Sequence, residues 1–355
     1  MEHRYCVIMA GGRGERFWPL STKSVPKPFV RLVGDKTMIQ MTVERVLGLV
    51  PTDHIFVVLG GEHKDVARKQ LPDLGEDQFI VEPVGRDTAA CIGFAATLLA
   101  RRDNEAVMIV LPADHYIPDI GAFVKSVSHA VEWATREDCL VTIGITPTRP
   151  ETGYGYIRAG QRVIEADGRC CKVDRFVEKP DQERAAQYLS EGVYYWNSGI
   201  FIWRTRVVLE GLRQHMANLA RGLEAIDLAI SAGDSQEVTR IFSGFERVSI
   251  DYGLMEKANN VLMVKTDFPW DDVGTWGSLR RVMELDRHGN YVSGRAICVD
   301  TKDCIIYGQD VSIGAVGVAN LVIVASPEGV LVCDAQRDQE TRRIARMFEE
   351  EEKDA

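Results

Sequence analysis

The sequence lacks the long apolar run that a membrane-spanning helix requires. No segment approaches the roughly 20 consecutive apolar residues that cross a bilayer. The first apolar run, residues 5–10, is too short for the core of a signal peptide, and glycines follow it. We therefore predict a cytoplasmic protein that does not associate with membranes.

An excess of basic charge is also absent. The 355 residues include 42 Lys and Arg against 52 Asp and Glu, which gives a formal net charge of −10. A general nucleic-acid binder needs a cationic surface to contact phosphates, so the balance argues against a nucleic-acid partner. A local group of basic residues can still bind a small phosphorylated substrate within an acidic protein.

Cysteines in metal-binding spacing are missing as well. The eight cysteines form no CxxC pair, so the sequence predicts no zinc site. Most of them lie in apolar surroundings. We expect reduced cysteines that are buried in the core of a protein from a reducing compartment.

What the sequence does contain is an alternation of short apolar runs and longer amphipathic ones. Strands are predicted at 5–10, 55–59 and 107–111, and helices at 37–50 and 88–102. This alternation predicts a Rossmann-like α/β domain, whose mixed, mainly parallel sheet carries helices on both faces. The middle of the chain continues with strands at 141–145, 155–159, 171–178, 199–203 and 261–265, and with helices at 207–228, 236–242 and 275–285.

The pattern changes after Gly289, where short β runs are separated by glycines. These runs are predicted at 296–299, 304–307, 311–313, 321–324 and 330–333, and a charged helix at 338–352 closes the chain. A small β unit that resembles a left-handed β-helix fits this spacing. We predict one domain over residues 1–289 and a second over residues 290–355.

A glycine-rich turn after the first strand carries the strongest chemical signal. Residues 7–19 read VIMAGGRGERFWP, and residues 26–28 read PKP. Glycines let the backbone N–H groups approach a phosphate, and Arg13, Arg16 and Lys27 add positive charge. The combination suits a nucleoside triphosphate. The alternative is an ordinary glycine turn with solvated charges.

Two other nucleotide-binding motifs do not match this turn. A P-loop needs GxxxxGK[ST], which the stretch lacks. A dinucleotide-binding fingerprint needs a third glycine where Arg16 stands, and no acidic residue follows at the expected distance.

The whole pattern resembles the nucleotide-sugar pyrophosphorylases, from about residue 4 to residue 348. Within that family it is most similar to the branch that transfers GMP from GTP to mannose 1-phosphate, releasing GDP-mannose and pyrophosphate. The resemblance implies that Arg16 and Lys27 are catalytic. It also implies a set of nucleotide-binding backbone positions in the turn, namely Ala10, Gly11, Gly12 and Gly14.

Two separated carboxylates are candidates for a metal site. Asp114 follows the predicted strand at 107–111, at the sheet edge where open parallel sheets bind ligands. Asp272 follows the strand at 261–265 and belongs to the run FPWDDVGTW. Carboxylate oxygens suit Mg²⁺, and the resemblance implies that both residues bind it. The alternative is that Asp114, or Asp271 and Asp272, cap the segments that follow.

The resemblance also implies an acceptor site for the sugar phosphate. Lys179 would pair with the phosphate of the sugar, and Glu178 would accept hydrogen bonds from its hydroxyls. Asn197 and the glycine-rich turn at Gly153 would contact the ring, although Asn-Ser-Gly is also ordinary turn chemistry. Asp251 would support the pocket or cap a helix, and both readings remain open.

The purine is expected near residues 82–89, where Glu82 or Thr88 would contact the base. Thr88 is equally an ordinary helix cap. The position after Gly14 is Glu15, where many relatives carry threonine, so no hydroxyl is expected to bind phosphate there.

The predicted reaction is an in-line attack of the acceptor phosphate on the α-phosphorus of GTP. A related transferase with another base or sugar, and a non-catalytic regulatory homologue, are the alternatives. The chain lacks the isomerase domain of some longer relatives, so we expect one activity. We further expect a homodimer, because the apolar runs of the C-terminal unit need a cover.

Overall fold

The computed structural model describes residues 2–12, 14–162 and 169–354. The larger sheet is built from β1 (Arg4–Met9), β2 (Ile55–Gly60), β3 (Phe79–Glu82), β4 (Val107–Pro112), β5 (Leu140–Ile145), β6 (Tyr156–Arg162), β7 (Cys170–Val177), β8 (Tyr194–Arg204) and β9 (Val261–Thr266). Within the described ranges, these nine strands lie in the order β3-β2-β1-β4-β8-β5-β9-β7-β6.

The helices that accompany the sheet are mostly short. They are α1 (Met38–Val46), α2 (Lys64–Gln70), α3 (Asp87–Arg102), α4 (Ile120–Arg136), α5 (Gln182–Glu191), α6 (Thr205–His215), α7 (Ala217–Ser231), α8 (Ser235–Ser243) and α9 (Leu279–Val282). In the part of the chain that the structure describes, no helix is both long enough and apolar enough to cross a bilayer.

Strand direction brings the motifs to one edge of the sheet. β1 is parallel to β2 and β4, and β5 is parallel to β9. β8 lies between β4 and β5 and is antiparallel to both, so β1, β4, β5 and β9 all point the same way. The segments that follow β1, β4 and β9 therefore leave the sheet at the same edge, which is where open α/β sheets bind ligands.

Alternating side chains of the central strands enter two separate apolar cores. Cys6 and Ile8 of β1 pack on one face of the sheet, with side chains of α1 and α4. Tyr5 and Val7 pack on the other face, with side chains of α3, α6 and α7. Successive side chains of the strand thus point to opposite faces of the sheet, and helices cover both faces. This confirms the predicted α/β class.

Two predicted helices are wrong in extent. The segment 207–228 is broken at Met216, whose backbone has φ −136° and ψ 55°, into α6 and α7. The break lets two short apolar faces, one centred on Leu212 and one on Leu223, pack on the same core. The segment 275–285 forms only a 3-10 turn, Trp276–Ser278, and the four-residue α9, because Trp276 and Leu279 are buried against the C-terminal unit.

The C-terminal unit consists of short strands stacked in coils. They are β10 (Tyr291–Ser293), β11 (Ala296–Val299), β12 (Ile305–Gly308), β13 (Ile313–Val316), β14 (Leu321–Ser326) and β15 (Gly329–Asp334), and α10 (Thr341–Asp354) follows. β10, β12 and β14 pair in parallel, as do β11 and β13. Asp300, Asp303, Asp310 and Asn320 take positive φ angles between the strands, which the short polar side chains tolerate. This arrangement agrees with the predicted β-helix-like unit.

An apolar cluster joins the C-terminal unit to the larger domain. Val322 and Val324 of β14 pack with Phe17 and Trp276, and all four side chains are almost completely buried. The hydroxyl of Tyr307 donates to the backbone oxygen of Arg31. The C-terminal unit therefore completes its core on the larger domain, as a unit of this size must.

Candidate active site

The glycine turn after β1 is shaped by close approach of two backbone segments. Gly12 and Gly14 have φ angles of 97° and 63°, which disfavour residues with a Cβ. A Cβ on Gly14 would lie 2.7 Å from the backbone nitrogen of Lys27. The glycine therefore lets the turn and the 26–28 segment pack together. Arg13, a predicted cationic group, lies outside the described residues.

The buried ammonium of Lys27 joins the glycine turn to the two predicted metal ligands. Its Nζ lies 2.9 Å from Oδ2 of Asp114 and donates to the backbone oxygen of Asp272 at 2.6 Å. Asp114 comes from the segment after β4 and Asp272 from the segment after β9. The structure thus brings together Lys27, Asp114 and Asp272, as the sequence analysis expected.

The two carboxylates differ in their electrostatic environment. Burial opposes ionisation of Asp114, but the charge of Lys27 and the hydrogen bond from it lower the pKa of this carboxyl below its usual value. Burial raises the pKa of Asp272, and the nearby carboxylates of Asp271 and Asp114 raise it further against the attraction of Lys27. A cation bound between Asp114 and Asp272 would favour the ionised form of both.

These residues line one open cavity of about 450 Å³. Its wall contains the glycine turn, cationic side chains from three segments and both carboxylates. The lining residues are Gly11, Gly12, Gly14, Glu15, Arg16, Phe17, Lys27, Asp114, His115, Asp272, Gly274, Arg342 and Arg346. Arg16 is held at the cavity by a hydrogen bond of 3.1 Å from Nη1 to the backbone oxygen of Gly274. Ala10 is not in this wall: it is buried, and its N–H donates to the oxygen of Val58.

Adjacent aspartates have different tasks at this edge. The carboxylate of Asp271 is buried and accepts hydrogen bonds from Arg281, at 2.8 and 3.0 Å, from Arg149 at 3.4 Å and from the backbone N–H of Val273. Asp272 instead faces the cavity and accepts one hydrogen bond from the hydroxyl of Tyr154, at 2.9 Å. The capping alternative is wrong for both aspartates, because Thr275 is the N-cap of the 3-10 turn Trp276–Ser278 and Asp271 accepts from Val273 before that turn begins.

A second cluster, the acceptor cluster, contains Glu178, Lys179, Asn197 and Asp251. Nζ of Lys179 lies 3.2 Å from Oε1 of Glu178, and the lysine is mostly exposed. A Cβ on Gly155 would lie 2.5 Å from Oε2 of Glu178 and 3.4 Å from Cβ of Asn197, so these side chains share one small space.

Within the acceptor cluster, Asp251 orients the side chain of Asn197. Its Oδ1 accepts a hydrogen bond of 2.6 Å from Nδ2 of Asn197, and it makes no side-chain cap. Burial raises the pKa of Asp251 to about 6, against the hydrogen bond from Asn197. The backbone N–H of Gly153 donates to Glu151 rather than to a residue of the acceptor cluster. Asn197 and Gly199 belong to β8 at a register shift against β5, rather than to the alternative β-turn.

Neither Glu82 nor Thr88 is among the residues that line the cavity. Glu82 ends β3 and is buried, and its Oε1 has no hydrogen-bond partner among the described residues. Burial and the nearby charge of Asp87 raise the pKa of Glu82 to about 7. The hydroxyl of Thr88 accepts from the backbone N–H of Ile250, next to Asp251, so it does not act as the helix cap.

Tyr154 and His115 are among the side chains of the site that were not found from the sequence. Tyr154 holds Asp272, and it lies in the glycine-rich run TGYGY, which was interpreted only as a turn against the sugar. His115 lines the cavity beside Asp114, and its Nδ1 accepts a hydrogen bond from Trp270. Burial lowers the pKa of His115 to about 4, so its imidazole is neutral near pH 7.

Comparison with known proteins identifies the family. A model described as nucleotidyl transferase matches residues 5–289, and one described as MannoseP isomerase/GMP-like beta-helix domain matches residues 294–347. The chain belongs to the nucleotidyl transferase family. This confirms both the family resemblance and the predicted fold class, including the β-helix-like C-terminal unit.

Relatives of this transferase extend over almost the whole chain. It is 38% identical to a mannose-1-phosphate guanylyltransferase of Escherichia coli over 98% of its length and 74% of that protein. It is 40% identical to the xanthan biosynthesis protein XanB of Xanthomonas campestris pv. campestris, over 95% of its length and 72% of that protein. A crystal structure described as mannose-1-phosphate geranyltransferase from Thermus thermophilus superposes with a TM-score of 0.88 at 37% identity, covering 98% of this chain and 99% of that one.

We expect Asp271→Asn to destabilise this transferase and Asp272→Asn to leave its stability unchanged or slightly higher. The first change removes the charge of a buried carboxylate that pairs with the partly exposed guanidinium groups of Arg281 and Arg149, which costs about 1–3 kcal/mol. The second removes a carboxylate that burial already disfavours in its ionised form. Urea unfolding of both variants measures the free energies. Equal losses in the two variants would contradict the separation of tasks.

Proposed function

We propose that this chain transfers GMP from GTP to α-D-mannose 1-phosphate, giving GDP-mannose and pyrophosphate. The observation that carries the proposal is the contact of Lys27 with both Asp114 and the backbone of Asp272, which joins a triphosphate-binding turn to two carboxylates in one cavity. The names of relatives that match nearly the full chain support the choice of substrates.

The chemistry requires one bond to form and one to break at phosphorus. A phosphate oxygen of mannose 1-phosphate attacks the α-phosphorus of GTP, and the bond to the β-phosphate oxygen breaks in line with it. Arg16 and Lys27 neutralise charge on the phosphates as pyrophosphate leaves. No residue has to remove a proton from the nucleophile, because a phosphate monoester is already anionic near pH 7.

The acceptor cluster would hold mannose 1-phosphate beside the nucleotide. Lys179 would pair with the attacking phosphate and orient it, while Glu178 and Asn197 would bind sugar hydroxyls. Asp251 fixes the amide of Asn197, so that its oxygen faces away from the aspartate. Correct placement of the nucleophile contributes much of the acceleration in reactions of this kind.

The donor set at the cavity fits Mg²⁺. Among the described residues, no three His, Cys, Asp or Glu side chains converge on one point, so a protein-only cage is absent. A site with two carboxylates suits Mg²⁺, which keeps several waters and takes its remaining ligands from substrate phosphates. Asp114 and Asp272 would hold the ion, and it would supply positive charge to the phosphates when bound.

We propose that Glu82 and its neighbours select the guanine base. Oε1 of Glu82 is a buried acceptor without a partner among the described residues. Guanine offers two adjacent donors, N1–H and the 2-amino group, which a carboxylate can accept together. Binding of these donors would favour the ionised form of Glu82. Thr88, whose hydroxyl links the start of α3 to Ile250, would fix the neighbouring backbone.

A pyrophosphate-release assay across four NTPs and a panel of sugar 1-phosphates tests the proposed reaction. We expect the highest kcat/KM for GTP with mannose 1-phosphate, and lower values for glucose and heptose 1-phosphates. A clear preference for UTP or dTTP would show that the guanylyl assignment is wrong. Absence of turnover with every pair would favour the non-catalytic alternative.

We expect Asp114→Asn and Asp272→Asn each to lower kcat by about a hundredfold or more, since each removes a charged metal ligand. Steady-state rates over a range of Mg²⁺ concentrations measure the effect, with circular dichroism to verify folding. Asp267→Asn is the matched control, because Asp267 is an exposed carboxylate in the same segment. Rates like those of the wild type for either variant at saturating Mg²⁺ would contradict the metal assignment.

We also propose a homodimer that includes the C-terminal unit. The inner side chains of β11 and β13 fill a small core, but the outer ones are apolar and uncovered: Ile297 is 73% exposed and Val316 is 70% exposed. Val330 and Val332 of β15 are also exposed. A second copy would cover these side chains, and closed two-fold pairing is the commonest form of such assembly.

We expect light scattering to give a dimer mass at micromolar concentration, and the double variant Ile297→Ser/Val316→Ser to shift it toward the monomer. Leu228→Ser is the control, since Leu228 is 71% exposed on α7, outside the C-terminal unit. A monomeric wild type would end the proposal, and an unchanged dimer in the double variant would place the interface elsewhere.

A further inference from the structure

The C-terminal helix α10 contributes to the wall of the cavity that contains the glycine turn, Lys27, Asp114 and Asp272, which we call the phosphate cavity. Arg342 and Arg346 line it together with the glycine turn, Arg16 and Lys27. A spacing of four residues places both guanidinium groups on one face of the helix. The cavity is therefore bounded by residues from the two ends of the chain.

Packing holds α10 against the segment that follows the glycine turn. The ring of Phe348 stacks on that of Trp18, with centroids 5.0 Å apart. Ala345, on the turn between Arg342 and Arg346, is buried. Nε of Arg346 lies 2.8 Å from Oε2 of Glu15. These contacts fix the face of the helix that the two arginines share.

The part of the cavity wall formed by α10 and Glu15 carries one carboxylate and two guanidinium groups. Glu15 places a carboxylate in a cavity whose other charged groups suit a triphosphate, and Arg346 offsets that negative charge. Arg342 has no hydrogen-bond or ion-pair partner within residues 2–12, 14–162 and 169–354. The guanidinium group of Arg342 therefore lies at the phosphate cavity with N–H donors that are available. Such donors are suited to bind a phosphate of a ligand.

We infer that Arg342 binds the β- and γ-phosphates of the incoming nucleotide and that Arg346 is a positioning residue that cancels the charge of Glu15. The inference rests on the proposed function and adds two residues of the C-terminal unit to its triphosphate site. Of the described residues that line the cavity, none belongs to the acceptor cluster. The helix therefore faces the leaving phosphates of the nucleotide rather than the sugar phosphate.

Calorimetric titration of Arg342→Ala with GTP, GMP and pyrophosphate, each without acceptor, tests the first part. We expect affinity for GTP and for pyrophosphate to fall about ten- to hundredfold, as for loss of a hydrogen-bonded charged partner, and affinity for GMP to change less than about twofold. Arg343→Ala is the control, because Arg343 is exposed on the same turn but does not line the cavity. Equal weakening of GTP and GMP, or no change in either, would overturn the assignment.

This comparison is independent of the base that the enzyme prefers. If the wild type bound another nucleoside triphosphate better than GTP, the guanylyl proposal would fail. The contrast between that triphosphate and its monophosphate would still test Arg342.

A rescue experiment tests the positioning role of Arg346. We expect Arg346→Ala to weaken GTP binding, because it removes the positive charge that lies 2.8 Å from the carboxylate of Glu15 in the cavity wall. Adding Glu15→Gln to that variant should restore most of the lost affinity, which a merely structural role for Arg346 would not predict. A double variant that binds GTP no better than Arg346→Ala alone would overturn this part.

Discussion

The buried ammonium of Lys27 is the contact on which the geometry of the site depends. A buried charge is costly unless it is paired, and here the partners are the carboxylate of Asp114 and the backbone oxygen of Asp272. The lysine follows the glycine turn, and its partners follow β4 and β9. One side chain therefore joins the glycine turn to two aspartates that are far apart in the sequence.

Neighbouring aspartates after the end of β9 point in different directions. Asp271 turns inward to Arg281 and the backbone of Val273, while Asp272 turns outward to the cavity. Val273 has a φ of 46°, an unfavourable conformation for a β-branched residue. The strained backbone is held by the Asp271 hydrogen bonds and by the burial of Val273, and it is the local bend that separates the directions of the two carboxylates.

The small C-terminal unit and the catalytic domain depend on each other. The unit has too little apolar sequence for a core of its own, so β14 completes the cluster around Phe17 and Trp276. Phe17 lies in the 3-10 turn that follows Gly14, next to Arg16. Packing of the unit thus supports the segment that carries Arg16, for which we propose a catalytic role, and α10 extends from the same unit to the edge of the cavity.

The sequence by itself determined the class of fold and part of the main cavity, namely the glycine turn, Arg16, Lys27, Asp114 and Asp272. Alternating strands and helices imply parallel strands whose carboxyl ends share an edge, which placed Asp114 there, and the family resemblance grouped Lys27 and Asp272 with it. Tertiary structure alone decided that Tyr154 holds Asp272, that the helix predicted at 207–228 breaks at Met216, and that α10 reaches a glycine turn more than 300 residues earlier. Local spacing defines which side chains share a face of one segment. The burial of apolar surface between distant parts of the chain decides which segment packs against that face. A local sequence pattern does not predict that packing.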